Sequence, residues 1–140
     1  MEAARVASSL HLVVPCYNER SRLDVDQIGV LTTDDRVSLV LVDDGSTDRT
    51  LDLLRAIERD TSKVTVIALP RNRGKGEAVR AGLVSALAAD PAWLGYVDAD
   101  MATPASEILR LLDIAARAPR VDVVLGSRVA LLGRDVRRGG

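Results

Sequence analysis

Leu39-Val40-Leu41-Val42-Asp43-Asp44-Gly45-Ser46-Thr47-Asp48, followed by Thr50, Leu53, Leu54 and Ile57, is the stretch whose reading decides the fold. The unbroken apolar run bounded by turn formers reads as a strand buried on both faces. Asp, Gly and Ser then form a turn. The spacing from Thr50 to Ile57 is i, i+3, i+4, i+7, one apolar face of a helix. Strand, polar loop and helix in that order begin a crossover unit.

The same rhythm continues on both sides. Apolar runs recur at His11 to Val14, Val64 to Leu69, Trp93 to Val97 and Val121 to Leu125. Helical stripes lie between them, at Val79, Leu83, Ala86 and Leu87 and at Ile108, Leu111, Leu112 and Ala115; the segment around Leu23, Ile28 and Leu31 is less regular. Thr103-Pro104 predicts a helix start, because the hydroxyl can accept an orphan N–H and proline needs no donor at the first position. The chain therefore reads βαβαβαβαβ, an α/β fold with a parallel sheet covered on both faces. In such sheets ligands bind beyond the carboxyl ends of the strands.

Composition narrows the function. A length of 140 residues, 47% hydrophobic and 28% charged, suits one ordinary globular domain. A net charge of -1 and 2% aromatic residues offer neither attraction to a nucleic-acid backbone nor a stacking platform, so no nucleic acid is expected as a partner. The single cysteine, Cys16, has no disulfide partner and no zinc-site neighbours, which points to a reducing cytoplasm. Met1 to Arg5 include an acid, and the apolar run after them is too short for a signal core or a span, so no transmembrane segment is expected.

The loops after the strands carry the chemistry. Asp98 and Asp100 are close enough to repel, and a divalent cation is the simplest compensation. Mg²⁺ or Mn²⁺ takes one or two carboxylates and completes its shell with phosphate oxygens and water. A strand end followed by a turn accounts for the same pair. Asp43 and Asp44 suit acceptance from a base N–H or ribose hydroxyls; equally, they suit a turn with a helix cap. Arg71, Arg73 and Lys75, with Gly74 and Gly76 allowing close backbone approach, can hold phosphate oxygens at a helix start. The spacing is not that of a P-loop, and solvated cations are the plain alternative. Tyr17 and Glu19 suit stacking on and hydrogen bonding to a nucleoside, or a lid on the core and a first-turn acid. His11 and Cys16 read as packed residues rather than ligands.

Taken together, Val13-Val14-Pro15-Cys16-Tyr17-Asn18-Glu19, Val42-Asp43-Asp44-Gly45-Ser46-Thr47-Asp48, Asn72-Arg73-Gly74-Lys75-Gly76 and Val97-Asp98-Ala99-Asp100 resemble family 2 glycosyltransferases in order and spacing. The resemblance covers nearly the whole chain. It implies the GT-A fold, a Rossmann-like α/β/α sandwich with a mostly parallel sheet. It also implies transfer of a sugar from a nucleotide-sugar donor, a UDP-sugar ahead of a GDP-sugar, with Mg²⁺ or Mn²⁺ assistance. Within the family the chain looks like the polyprenyl-phosphate sugar transferases, whose acceptor is a lipid phosphate. It is closer to the dolichyl-phosphate glucosyltransferase type than to the mannose type, because Ala102 stands where the latter carries a metal-binding glutamine.

By that resemblance Pro15, Tyr17, Glu19 and Asp44 line the nucleoside pocket with Asp43 beside them, and Lys75 lies near the phosphates. Asp98 and Asp100 hold the metal and the donor diphosphate. Arg128, in Gly126-Ser127-Arg128, faces the transferred group or the acceptor phosphate. The family's domain continues further, so residues 1–140 are expected to be its N-terminal, nucleotide-sugar-binding part, truncated before the acceptor side and inactive alone. The expected place is the cytoplasm, at the membrane's cytoplasmic face if the full-length protein associates peripherally. Arg134, Arg137 and Arg138 then approach anionic lipid or merely face water.

A nicotinamide dehydrogenase is disfavoured, since Pro15-Cys16-Tyr17 replaces the glycine fingerprint after the first strand. Two other readings stay open. One is a phosphohydrolase with Asp98 as nucleophile and Asp100 as acid; the other is a non-catalytic nucleotide-sugar-binding domain.

Overall fold

A computed structural model describes residues 9–124. Strands β1 (Leu10–Cys16), β2 (Val37–Asp43), β3 (Val64–Ala68) and β4 (Trp93–Tyr96) alternate with helices α1 (Val25–Thr32), α2 (Thr50–Asp60), α3 (Lys75–Leu87) and α4 (Ala105–Arg117). The sheet order is β3-β2-β1-β4, and every pairing is parallel. The two central strands are buried along almost their whole length, as a sheet covered on both faces requires. Their register places Cys16 beside Asp43 and Asp43 beside Ala68. Three strands therefore release their loops from one line.

The two faces are packed differently. Leu10, Leu12 and Val14 of β1 join Ile28 and Leu31 of α1, Leu54 and Ile57 of α2, and Ile108 and Leu112 of α4 in the larger core. The opposite face holds Val13, Val40 and Val42 against α3. There the helix presents Ala78, Gly82 and Ala86, with Leu83 packed beside them; of the expected stripe Val79, Leu83, Ala86 and Leu87, Ala86 and Leu83 therefore meet the core, while Leu87 is exposed. A Cβ on Gly82 would lie 2.4 Å from Val13 Cγ1, so the helix approaches the sheet as closely as glycine permits.

One further expectation holds and two change in detail. The irregular segment around Ile28 does form a helix, with the Asp24 carboxylate accepting from Gln27 N at 3.1 Å. The start of α4 is one residue later than Thr103-Pro104 implied: Pro104 is the cap residue, and Gln27 Oε1 accepts from Ala105 N at 2.7 Å. A neighbouring helix thus satisfies the donor that threonine was expected to hold. Residues 121–124, the described part of the fifth apolar run, form no strand.

Candidate functional site

Four loops meet at the carboxyl edge of the sheet around an open cleft of about 350 Å³. Pro15 comes from the end of β1, Tyr17 and Glu19 from the loop after it, Asp44 from the β2 loop, Lys75 from the start of α3, and Asp98 and Asp100 from the loop after β4. All seven were candidates on sequence grounds. Asn72, Gly74 and Arg22 also line the cleft. Asp43 does not; it is buried, with Oδ2 accepting from Ser46 N at 3.4 Å and Oδ1 without a hydrogen-bond partner. Arg128 and the later arginines lie outside the described residues.

The β1 and β2 loops are stitched together by small polar side chains. Asn18 adopts a left-handed φ of 49°, which asparagine tolerates better than most residues. Its Oδ1 accepts from Thr47 N at 2.9 Å, while its own N–H donates to Ser46 Oγ at 3.0 Å. Glu19 N donates to the buried Thr50 Oγ1 at 3.0 Å. Asp48 in turn accepts from Thr50 N at 2.8 Å, just ahead of Arg49, the cap residue of α2, whose side chain makes no capping bond. The turn reading of this segment holds and the helix-cap reading does not, since no side chain caps α2; the same bonds hold Tyr17 and Glu19 at the cleft. Tyr17 is 42% exposed, so it is no lid on the core. Arg22 sits on Glu19, with NH2 donating to Oε1 at 3.3 Å and Nε within ion-pair distance of Oε2 but without hydrogen-bond geometry.

Asp44 joins the β2 loop to the α3 loop. Its buried carboxylate accepts from Arg73 N at 2.8 Å, Gly74 N at 3.0 Å and Asn72 Nδ2 at 3.3 Å. Gly45 makes this approach feasible. It has a φ of 66°, and a Cβ there would lie 2.3 Å from the Arg71 carbonyl carbon.

The loop after β4 presents its acids by alternation. Ala99 and Met101 are buried in the larger core, while Asp98 and Asp100 face outward. Met101 N donates to the Asp98 carbonyl at 3.0 Å, Ala102 N donates to Asp100 Oδ1 at 3.0 Å, and Met101 takes a left-handed φ of 53°. A non-glycine residue in that region costs roughly 1–3 kcal/mol, held here by the buried Met101 side chain. Lys75 Nζ reaches across and ion-pairs with Asp98 Oδ1. This pairing holds the Lys75 pKa above its ordinary value, with the Asp98 hydrogen bond the largest cause.

The donor set fits a hard divalent ion that brings other ligands with it. No group of three or more His, Cys, Asp or Glu converges among the described residues. Two outward carboxylates in a phosphate-sized cleft suit Mg²⁺ or Mn²⁺ completed by phosphate oxygens and water. Cys16 is fully buried, and burial first, then the Glu19 and Asp43 charges, push its thiol up to about 12. It is an inert filler. His11 is half-buried, and burial lowers its pKa.

The model of glycosyl transferase family 2 matches residues 11–138, across all four loops. The chain belongs to that family. Among curated relatives of this family, a dolichyl-phosphate beta-glucosyltransferase of Dictyostelium discoideum is 34% identical over 91% of this chain and 42% of its own length. An undecaprenyl-phosphate 4-deoxy-4-formamido-L-arabinose transferase of Pseudomonas aeruginosa is 38% identical over 76% of this chain and 32% of its own. The chain thus spans less than half of either relative. The crystal structure of S. aureus TarS 1-349 in complex with UDP superposes with a TM-score of 0.68 at 24% identity, covering 93% of this chain and 38% of that one. At that identity the likeness is one of fold, and it places this family 2 chain among GT-A glycosyltransferases.

Sequence reasoning missed Asn72 and Arg22 as cleft residues, and it missed the Asn18, Ser46 and Thr50 stitches. Nothing in local spacing identifies partners that lie about thirty residues apart.

Proposed function

We propose that this chain is the nucleotide-sugar-binding part of one family 2 domain that transfers a sugar, from a UDP-sugar ahead of a GDP-sugar, to a polyprenyl phosphate. The observation that carries the proposal is the convergence of Tyr17, Glu19, Asp44, Lys75, Asp98 and Asp100 on one cleft at the sheet's carboxyl edge. The acceptor class rests on the relatives named for dolichyl-phosphate and undecaprenyl-phosphate transfer. The work place proposed is the cytoplasmic face of a membrane. No helix among the described residues is long and apolar enough to cross one.

In this reading Pro15 and the exposed ring of Tyr17 flank the base, and Glu19 and Asp44 offer acceptors to the nucleoside. Lys75, at the first turn of α3, supports the phosphates together with the helix N-terminus. Asp98 and Asp100 would hold Mg²⁺ or Mn²⁺, which supplies Lewis-acid stabilisation of the charge that grows on the departing diphosphate. A phosphate acceptor is already an anion, so the cleft needs no general base for it. On the sequence match alone, Arg128 is assigned to the transferred group or the acceptor phosphate.

The test is a transfer assay with the full-length protein, labelled UDP-glucose and a polyprenyl phosphate. Label is expected in the lipid fraction, and chelation of divalent metal should abolish it. Release of inorganic phosphate without lipid product would favour the phosphohydrolase, and donor binding with no turnover on any acceptor would favour a non-catalytic domain.

A further inference from the structure

Two neighbouring carboxylates need a cation, and the folded chain already brings one. Lys75 Nζ pairs with Asp98 Oδ1, joining the start of α3 to the loop after β4. Asp100 adds its field to the same ammonium, which also lies 6.0 Å from the centroid of the Tyr96 ring. The two side chains are 57% and 54% exposed, which puts the pair in the weak class of surface ion pairs. It is weak enough to be exchanged, and it occupies a carboxylate that the proposed metal site needs.

Lysine suits an exchangeable contact. Its ammonium is a point charge on a flexible stem, with no planar fork to hold it to one carboxylate. A diphosphate entering the cleft offers more negative charge than Asp98 alone, within reach of the same stem.

We propose that Lys75 is the resident counter-cation of the metal seat. It holds Asp98 while the cleft is free of donor and moves to the diphosphate when the donor enters, so that Asp98 binds the divalent ion more readily in the presence of nucleotide. The inference rests on the donor-site reading above and deepens it by naming the residue that couples nucleotide to metal. Because linkage is reciprocal, each ligand tightens the other.

The experiment measures Mn²⁺ affinity by the electron paramagnetic resonance signal of free Mn²⁺, on the intact protein, with and without saturating UDP. The proteins are wild type, Lys75→Met and Arg22→Gln; the last removes a positive charge from the same cleft wall but from Glu19, not from Asp98. Without UDP, Lys75→Met is expected to bind Mn²⁺ about two- to fivefold more tightly than wild type, the range for losing an exposed ion pair. With UDP the order reverses, because the variant has lost its phosphate contact. Arg22→Gln is expected to leave the UDP-free affinity unchanged. An unchanged UDP-free affinity in Lys75→Met, or an equal gain in Arg22→Gln, would overturn the proposal while UDP binding by the wild type left the donor site standing. A wild type that binds neither UDP nor Mn²⁺ would overturn both.

Discussion

Asp44 is 3% exposed, and a carboxylate so placed is tolerated only where donors replace the lost water. Asn72, Arg73 and Gly74 do so, which makes Asp44 the anchor of the loop that carries Lys75 into the cleft. Asp44→Ala leaves two backbone N–H groups without their acceptor. It is expected to cost about 1–3 kcal/mol in urea unfolding and to weaken UDP binding as Lys75 loses its position. Stability lost with UDP affinity intact would separate the loop from the site. Much at this scale was legible: the acids and cations after each strand could be read as a set, because chemically capable residues recur at strand ends. Their partners could not. Asn18 with Thr47, Glu19 with Thr50 and Asp44 with Gly74 are contacts between loops made adjacent only by the sheet register, and Asp43, legible as an acid, is buried and does not line the cleft.

Among the elements, strand positions were the most legible, since unbroken apolar runs have few uses other than a sheet buried on both faces. Helix faces were less so. Of the α3 stripe, Leu83 and Ala86 do pack on the core, but close approach to β1 selects the small residues Ala78 and Gly82 for the buried face and leaves Leu87 exposed. Gly82→Ala is therefore expected to lose about 1–3 kcal/mol through overpacking against Val13, despite alanine's better helix propensity. Adding Val13→Ala should recover part of that loss, and additive effects of the two substitutions in urea unfolding would refute the contact. At the opposite edge of the sheet, Arg36 holds Asp34 at 2.8 Å and reaches Asp113 of α4 at 2.7 Å. The Arg36 hydrogen bond is the largest cause of the lowered Asp34 pKa. A lowered folded-state pKa contributes stability above the unfolded value that is lost as pH falls through the folded one. The stability gap between wild type and Asp34→Asn should accordingly be full at neutral pH and shrink steadily below pH about 4. A gap independent of pH would show that packing, not charge, makes the contribution.

At the scale of the whole molecule, the sheet order β3-β2-β1-β4 gathers four loops onto one edge, and family 2 membership follows from motifs spread over residues 11–138 rather than from any one of them. The chain spans 42% and 32% of the two relatives described, so acceptor, turnover and donor site all belong to the proposal, while the cleft proposed for the donor lies within the described residues. Its central claim is that Asp98 and Asp100 couple a metal ion to a nucleoside diphosphate. Calorimetric titration of UDP, with and without Mn²⁺, into wild type and into Asp98→Asn with Asp100→Asn tests this directly. The account predicts that Mn²⁺ tightens UDP binding by about tenfold or more in wild type, on the order of 1.4 kcal/mol, and has no effect in the double variant; a Mn²⁺ effect of equal size in both proteins would contradict it.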